Sequence, residues 1–157
     1  VEADKHHGHH HSHLDKHKTE HFIDSHWDSW FVPGLSDFIR VPNLTPMVDE
    51  SYLTNGNVEK AIQLVDDYVN KLHIKGLSRK IFQPAGMPPL IVYVVEGHDS
   101  ESNLMLYGHL DKQPWMDGWF EGLSATEPVI RNGYLYGRGG ADDGYAVFAC
   151  MLAIKNC

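Results

Sequence analysis

From Thr19 onward, apolar residues recur at helical spacing: Phe22, Ile23, Trp27, Trp30 and Phe31 form one stripe. Pro33-Gly34 is expected to close that helix, and Leu35 to Ile39 to form a short second one. Pro42 and Pro46 mark a loop. Asn57 is expected to cap an amphipathic helix that carries Val58, Ala61, Ile62, Val65, Tyr68, Val69 and Leu72 on its core face, with Gly76 as the stop.

Strand patterns then take over. Leu77 to Phe82 is one candidate. Leu90 to Val95 is an unbroken, mostly β-branched run that predicts a strand covered on both faces. Leu104 to Tyr107 is expected to be a central strand ended by Gly108, with His109 presented at its C-terminal end. Val129 to Arg131 and Tyr134 to Tyr136 flank Asn132-Gly133, which suits a two-residue type I′ hairpin. Gly137 to Gly140 leads into an apolar helix from about Asp143 to Asn156. Helices, then strands, then a helix predict an α/β layer structure.

Composition narrows the function classes. The 157 residues are 42% hydrophobic and 22% charged, ordinary for a globular domain, and no apolar run is long enough to span a membrane. A net charge of −8 gives no long-range attraction to nucleic acid or an anionic membrane and suits cations, so neither partner is expected. Cys150 and Cys157 are too few for a disulfide framework, and seven residues apart in one helix puts their Cα atoms about 10.5 Å apart. A reducing compartment, the cytoplasm, is favoured. Nine of the twelve histidines lie in the first 26 residues. Residues 1–17 hold almost no apolar side chain and are expected to be a disordered, histidine-rich tail. Residues 18–157 are the folded part. A start at Val1 without a signal pattern suggests processing, or a beginning that is not represented.

Two constellations carry candidate chemistry. Gly108-His109-Leu110-Asp111 follows a strand pattern, and strand ends are where sites collect in α/β sheets. In extended geometry His109 and Asp111 lie on the same side, so Asp111 can accept one imidazole N–H while the other nitrogen faces a metal. The second is Tyr136-Gly137-Arg138-Gly139-Gly140-Ala141-Asp142-Asp143-Gly144, where two adjacent carboxylates need a cation or a helix N-terminus to offset their repulsion. Either aspartate could equally cap the following helix. The loop lacks the Gly-Lys-Ser/Thr ending of a phosphate loop and the third glycine of a dinucleotide fingerprint.

Taken together, Leu106 to Pro114, Gly118-Trp119 and Leu135 to Ala146 resemble the co-catalytic zinc metallopeptidase family that contains carnosine dipeptidases, aminoacylases and succinyl-diaminopimelate desuccinylase. The resemblance covers about residues 20 to 157 and is strongest to the dipeptidase branch. It implies the N-terminal part of a zinc-peptidase catalytic domain, with a mostly parallel or mixed sheet flanked by helices. His109 then looks like a zinc ligand, Asp111 like the catalytic carboxylate that orients it, and Asp142 like the bridge between two zinc ions. Asp143 looks like a supporting or capping acid, and Arg138 and Gly139 like scaffold of the turn. The implied cofactor is a pair of zinc ions, with other divalent metals compatible. The implied substrate is a small peptide or N-acyl amino acid.

The family continues with an adjacent glutamate pair, a further acidic ligand and a distal histidine. No Glu-Glu pair occurs in this sequence. The remainder of the catalytic domain and a lid or dimerisation domain are therefore expected to be absent, and the chain alone is expected to be inactive. A homodimer or larger assembly would form through parts outside this chain. Two other functions compete: an inactive copy acting as an assembly subunit, and a metal-handling protein built on the histidine tail. The tail would have to be ordered at a cost of roughly 1–2 kcal/mol per residue before supplying ligands.

Overall fold

The computed structural model describes residues 14–97 and 102–157. Helix α1 (Lys16–His26) runs through a π-helical turn at Trp27–Phe31 into α2 (Val32–Arg40). Asp15 caps α1 by accepting the Lys18 backbone N–H at 3.2 Å. Lys16 and His17, expected in the tail, thus belong to the first turn of a helix; residues 1–13, with most of the tail histidines, lie outside the described residues. Pro33-Gly34 does not end the helix. Pro33 sits in the first turn of α2, directly after the π turn that carries the chain on from α1. Gly34 lets Phe148 lie against the backbone: a Cβ there would stand 2.6 Å from the Phe148 ring.

Helix α3 (Asn57–Asn70) begins one residue earlier than the capping pattern implies. Gly56, at φ 79°, occupies the cap, and Asn57 donates its side-chain amide to the Pro42 carbonyl at 3.2 Å. Helix α4 (Tyr145–Asn156) follows a kinked turn at Gly140–Gly144 in which Asp142 and Asp143 leave helical backbone angles, so Asp143 precedes the helix rather than opening it. The core lies among these helices. Trp30, Phe31, Leu35, Phe38, Ala61, Val65, Val69, Leu72, Phe148, Met151 and Leu152 form one buried cluster. Phe148 is its hub, edge-on to Trp30 (5.5 Å), Tyr68 (6.0 Å) and Phe31 (6.3 Å). The Trp30 indole donates to the Tyr68 carbonyl at 2.8 Å, so its one polar atom is satisfied in the core.

The class is mixed α/β, as the patterns require, but the described strands form two small antiparallel ribbons. Strand β1 (Leu77–Phe82) pairs with β2 (Leu90–Val95), and β3 (Val129–Arg131) with β4 (Tyr134–Tyr136). The expected parallel or mixed sheet reduces to one parallel bridge, Leu44 to Lys112. The reason is connection length: short turns join each pair, and these permit only antiparallel neighbours. Asn132 and Gly133 both take positive φ, 53° and 79°, the signature of the type I′ turn. Strand β2 is half-exposed, because it has one partner and one covered face.

The largest departure is Leu104 to Tyr107. It is extended but unpaired, with Leu104, Met105 and Tyr107 at 87%, 88% and 78% exposure. A central strand needs neighbours for its backbone groups, and none of the described strands lies beside it. Gly108, at its end, is packed: a Cβ there would meet the Ala146 Cβ of α4 at 3.0 Å.

Candidate metal centre

The C-terminal end of α2 is the floor on which the two motifs meet. Gly137 and Gly140 lie on Ile39, and Gly144 lies on Phe38. Side chains at these glycines would lift the Asp142 loop off the helix. Gly139, at φ 88°, turns the chain, and the Gly144 N–H closes the turn onto its carbonyl at 2.8 Å. The Asp142–Asp143 peptide is cis.

This packing brings His109 beside Asp142, 33 residues on in the sequence. Nε2 of His109 lies 3.1 Å from Oδ1 of Asp142. On the other side of the ring, Nδ1 lies 3.1 Å from Oδ1 of Asp111 and 3.2 Å from its carbonyl oxygen. With its Nδ1–H given to Asp111, the imidazole would turn its Nε2 lone pair toward a cation held between it and Asp142. All three side chains are one-third to three-fifths exposed, so the site opens to solvent.

Asp143 does not cap α4. Its Oδ2 accepts the His109 backbone N–H at 3.2 Å, tying the Asp142 loop to the segment that carries the imidazole. Arg138 donates its backbone N–H to the Ala125 carbonyl at 2.7 Å, and its Nε is buried with no hydrogen-bond partner among the described residues. The six candidate residues thus fall in one region. Among the described residues, no group of three histidine, cysteine or acidic side chains converges on a single point. The donor set fits a divalent cation on one side, with a nitrogen and a carboxylate oxygen within bridging distance. It supplies two donors where a closed site needs four.

Two residues absent from the sequence-based candidate list hold this arrangement. Lys112 is fully buried, and its Nζ donates to the carbonyls of Phe38 (2.6 Å), Ile39 (3.3 Å) and Val41 at the end of α2. Burial pulls its ammonium down to about 7. The carbonyl end of a helix is where a Lys donor is best received. Asn43, also buried, donates its side-chain amide to the Leu110 carbonyl at 2.8 Å. One signal for Lys112 exists in the pattern. The alternation that puts His109 and Asp111 on one side puts Leu110 and Lys112 on the other, toward the core.

Comparison with known proteins agrees with this region. The family model of Peptidase family M20/M25/M40 matches residues 105–157, which hold all six candidate residues. Over 128 residues the chain is 31% identical to an uncharacterised metallohydrolase of Methanocaldococcus jannaschii, covering 76% of this chain and 30% of that protein. The chain therefore spans about 30% of the length of the curated relative it matches. The two matches support a relation to the M20 family. No helix among the described residues is long and apolar enough to cross a membrane.

Proposed function

We propose that this chain carries the first half of a two-zinc centre in an M20-type hydrolase that cleaves amide bonds in small peptides or N-acyl amino acids. One observation carries the reading: His109 is held between Asp111 and Asp142, with 3.1 Å contacts on both ring nitrogens. In this reading His109 and Asp142 are ligands, and Asp142 is the bridge. Asp111 fixes the tautomer and raises the basicity of the ligating nitrogen. Asp143 sets the backbone height of His109, and Arg138 and Gly139 shape the turn. Bound divalent ions would polarise an amide carbonyl and lower the pKa of a water molecule. Other divalent metals fit the same two donors, and free cysteines suit the cytoplasm. Substrate contacts, the general base and any homodimer contacts belong to segments other than those described.

The test is metal binding by the wild type against His109→Ala and Asp142→Ala. Each variant is expected to remove one and the same binding event, beyond whatever the N-terminal histidines take up. Equal binding in all three proteins refutes the centre. The 157-residue chain by itself is expected to hydrolyse no dipeptide or N-acetyl amino acid, whichever divalent metal is added. Hydrolysis lost in either variant would show a complete site here.

A second reading is an assembly subunit, favoured by the exposed apolar run Leu104 to Tyr107. Sedimentation separates the two: a stable oligomer with no metal-dependent hydrolysis in the full-length protein supports assembly.

A further inference from the structure

Lys112 sits where three parts of the molecule meet. Its backbone joins the Asn43–Thr45 loop: the Lys112 N–H donates to the Asn43 carbonyl at 3.1 Å, and its carbonyl accepts the Thr45 N–H at 2.7 Å. Its Nζ occupies the carbonyl end of α2, 4.2 Å from the centre of the Phe38 ring. Its stem runs flat beneath Gly139. A Cβ on Gly139 would stand 2.6, 2.8 and 2.9 Å from Cε, Cγ and Cδ of Lys112. So the residue next to Asp111 is gripped from one side by α2 and roofed on the other by the loop that leads to Asp142.

We propose that Lys112 is a positioning residue that sets the spacing between His109 and Asp142, by seating the His109–Asp111 segment and the Asp142 loop on one anchor in α2. This deepens the metal-centre reading and rests on it for the identity of what His109 and Asp142 bind. The geometry explains why a lysine and a glycine are paired here. A shorter side chain at 112 would not reach the three carbonyls, and any side chain at 139 would displace the lysine stem. The pair His109–Asp142 is half-exposed and has little Coulombic hold of its own. Its distance is therefore set by the buried scaffold beneath it.

The experiment uses the full chain and two readouts. The first is the nitrogen-15 spectrum of the His109 imidazole without metal, which reports the tautomer and the Asp111 and Asp142 contacts. The second is cobalt(II) titration followed by its visible absorption. Each titration is read against the same protein carrying His109→Ala, so that cobalt taken up by the N-terminal histidines cancels. Lys112→Met keeps the stem and removes the donors. Val65→Ala, on the buried face of α3, serves as a control for lost stability. Lys112→Met is expected to shift the His109 signals and weaken cobalt binding by roughly 10–100-fold, the range for supporting residues around metal ligands. Val65→Ala should change neither. Should Lys112→Met fail to fold, Lys112→Gln, which retains donors on a shorter stem, should show the same shifts at smaller amplitude. Unchanged His109 signals in a folded Lys112 variant overturn the proposal, as do equal changes in Val65→Ala. If wild-type cobalt binding does not depend on His109, the metal-centre reading fails, and the imidazole spectrum still decides the role of Lys112.

Discussion

The helical layer and the strand-bearing part of this molecule solve their burial problems differently. Of the fully buried apolar side chains, all but Leu72 and Ala125 lie on α1–α4 or the π turn that joins α1 to α2, and none lies on a β-strand. The helical stripes find one another within this chain: Phe148 of α4 enters a ring of Trp30, Phe31 and Tyr68. The ribbons are each one pair wide and leave a face to solvent. The extended Leu104 to Tyr107 segment has no strand partner among the described strands. A helix satisfies its own backbone and needs only a face to bury, whereas a strand needs neighbours on both edges. The candidate centre lies on the seam, with Asp142 at the mouth of a helix and His109 at the end of an extended segment.

The sharpest way to break this contrast is to remove the hub. Phe148→Ala should cost about 3–5 kcal/mol, read from urea unfolding, because the cavity it leaves is walled by rigid rings. A loss under about 1 kcal/mol would mean that the helical layer is not the stabilising half. Next comes the joint between the halves. Asp66 of α3 is buried and accepts from Tyr93 Oη of β2 and pairs with Arg79 of β1. Burial first, and the Asp66 carboxylate second, push the Tyr93 phenol well above its usual range. Asp66→Asn should cost about 1–3 kcal/mol. It should release hydrogen-exchange protection in β1 and β2 before α3. Equal loss in all three would place the ribbon inside the helical cooperative unit.

The other joint, Lys112, has a pH signature with a definite sign. Its folded-state pKa is pulled down by burial to about 7 from an ordinary 10.5. Between those values the unfolded chain binds the proton and the folded chain does not. Stability should therefore rise with pH across that window, by no more than about 1.4 kcal/mol per unit, with none of this gain below about pH 7. Urea midpoints at several pH values should show the rise in wild type and its loss in Lys112→Met. A parallel rise in both proteins would assign the effect to other groups.

Much of this was legible in the sequence. The bounds of all four observed strands follow from apolar runs and the Asn132-Gly133 turn, because these signals are local. The pairing of His109 with Asp142 was implied by the family resemblance and not by periodicity. What was not legible depends on partners distant in sequence. Pro33-Gly34 reads as a stop, yet Phe148, more than a hundred residues on, makes the glycine a packing site inside a helix. Leu104 to Tyr107 has strand composition, but pairing belongs to its neighbours. The burial of Lys112 runs against its residue type, since lysines are seldom buried without a partner. Its partners are backbone carbonyls that no sequence pattern displays.

The smallest expected effect sharpens the comparison most. Met105 has the composition of a core strand residue and nearly nine-tenths of its surface in water. If stability tracks burial, Met105→Ser should shift the unfolding free energy of this chain by less than about 0.5 kcal/mol, the ordinary range for an exposed site. The buried Met151 of α4 provides the matched case: Met151→Ser removes the same side chain from the cluster and strands a hydroxyl there, at about 2–5 kcal/mol. The two substitutions are chemically identical, so intrinsic hydrophobicity cancels and the difference reads the environment alone. Urea unfolding of both variants at one pH decides it. A cost for Met105→Ser approaching that of Met151→Ser would mean that the 104–107 segment is covered in solution, and the proposed contrast between self-sufficient helices and partner-seeking strands would fall.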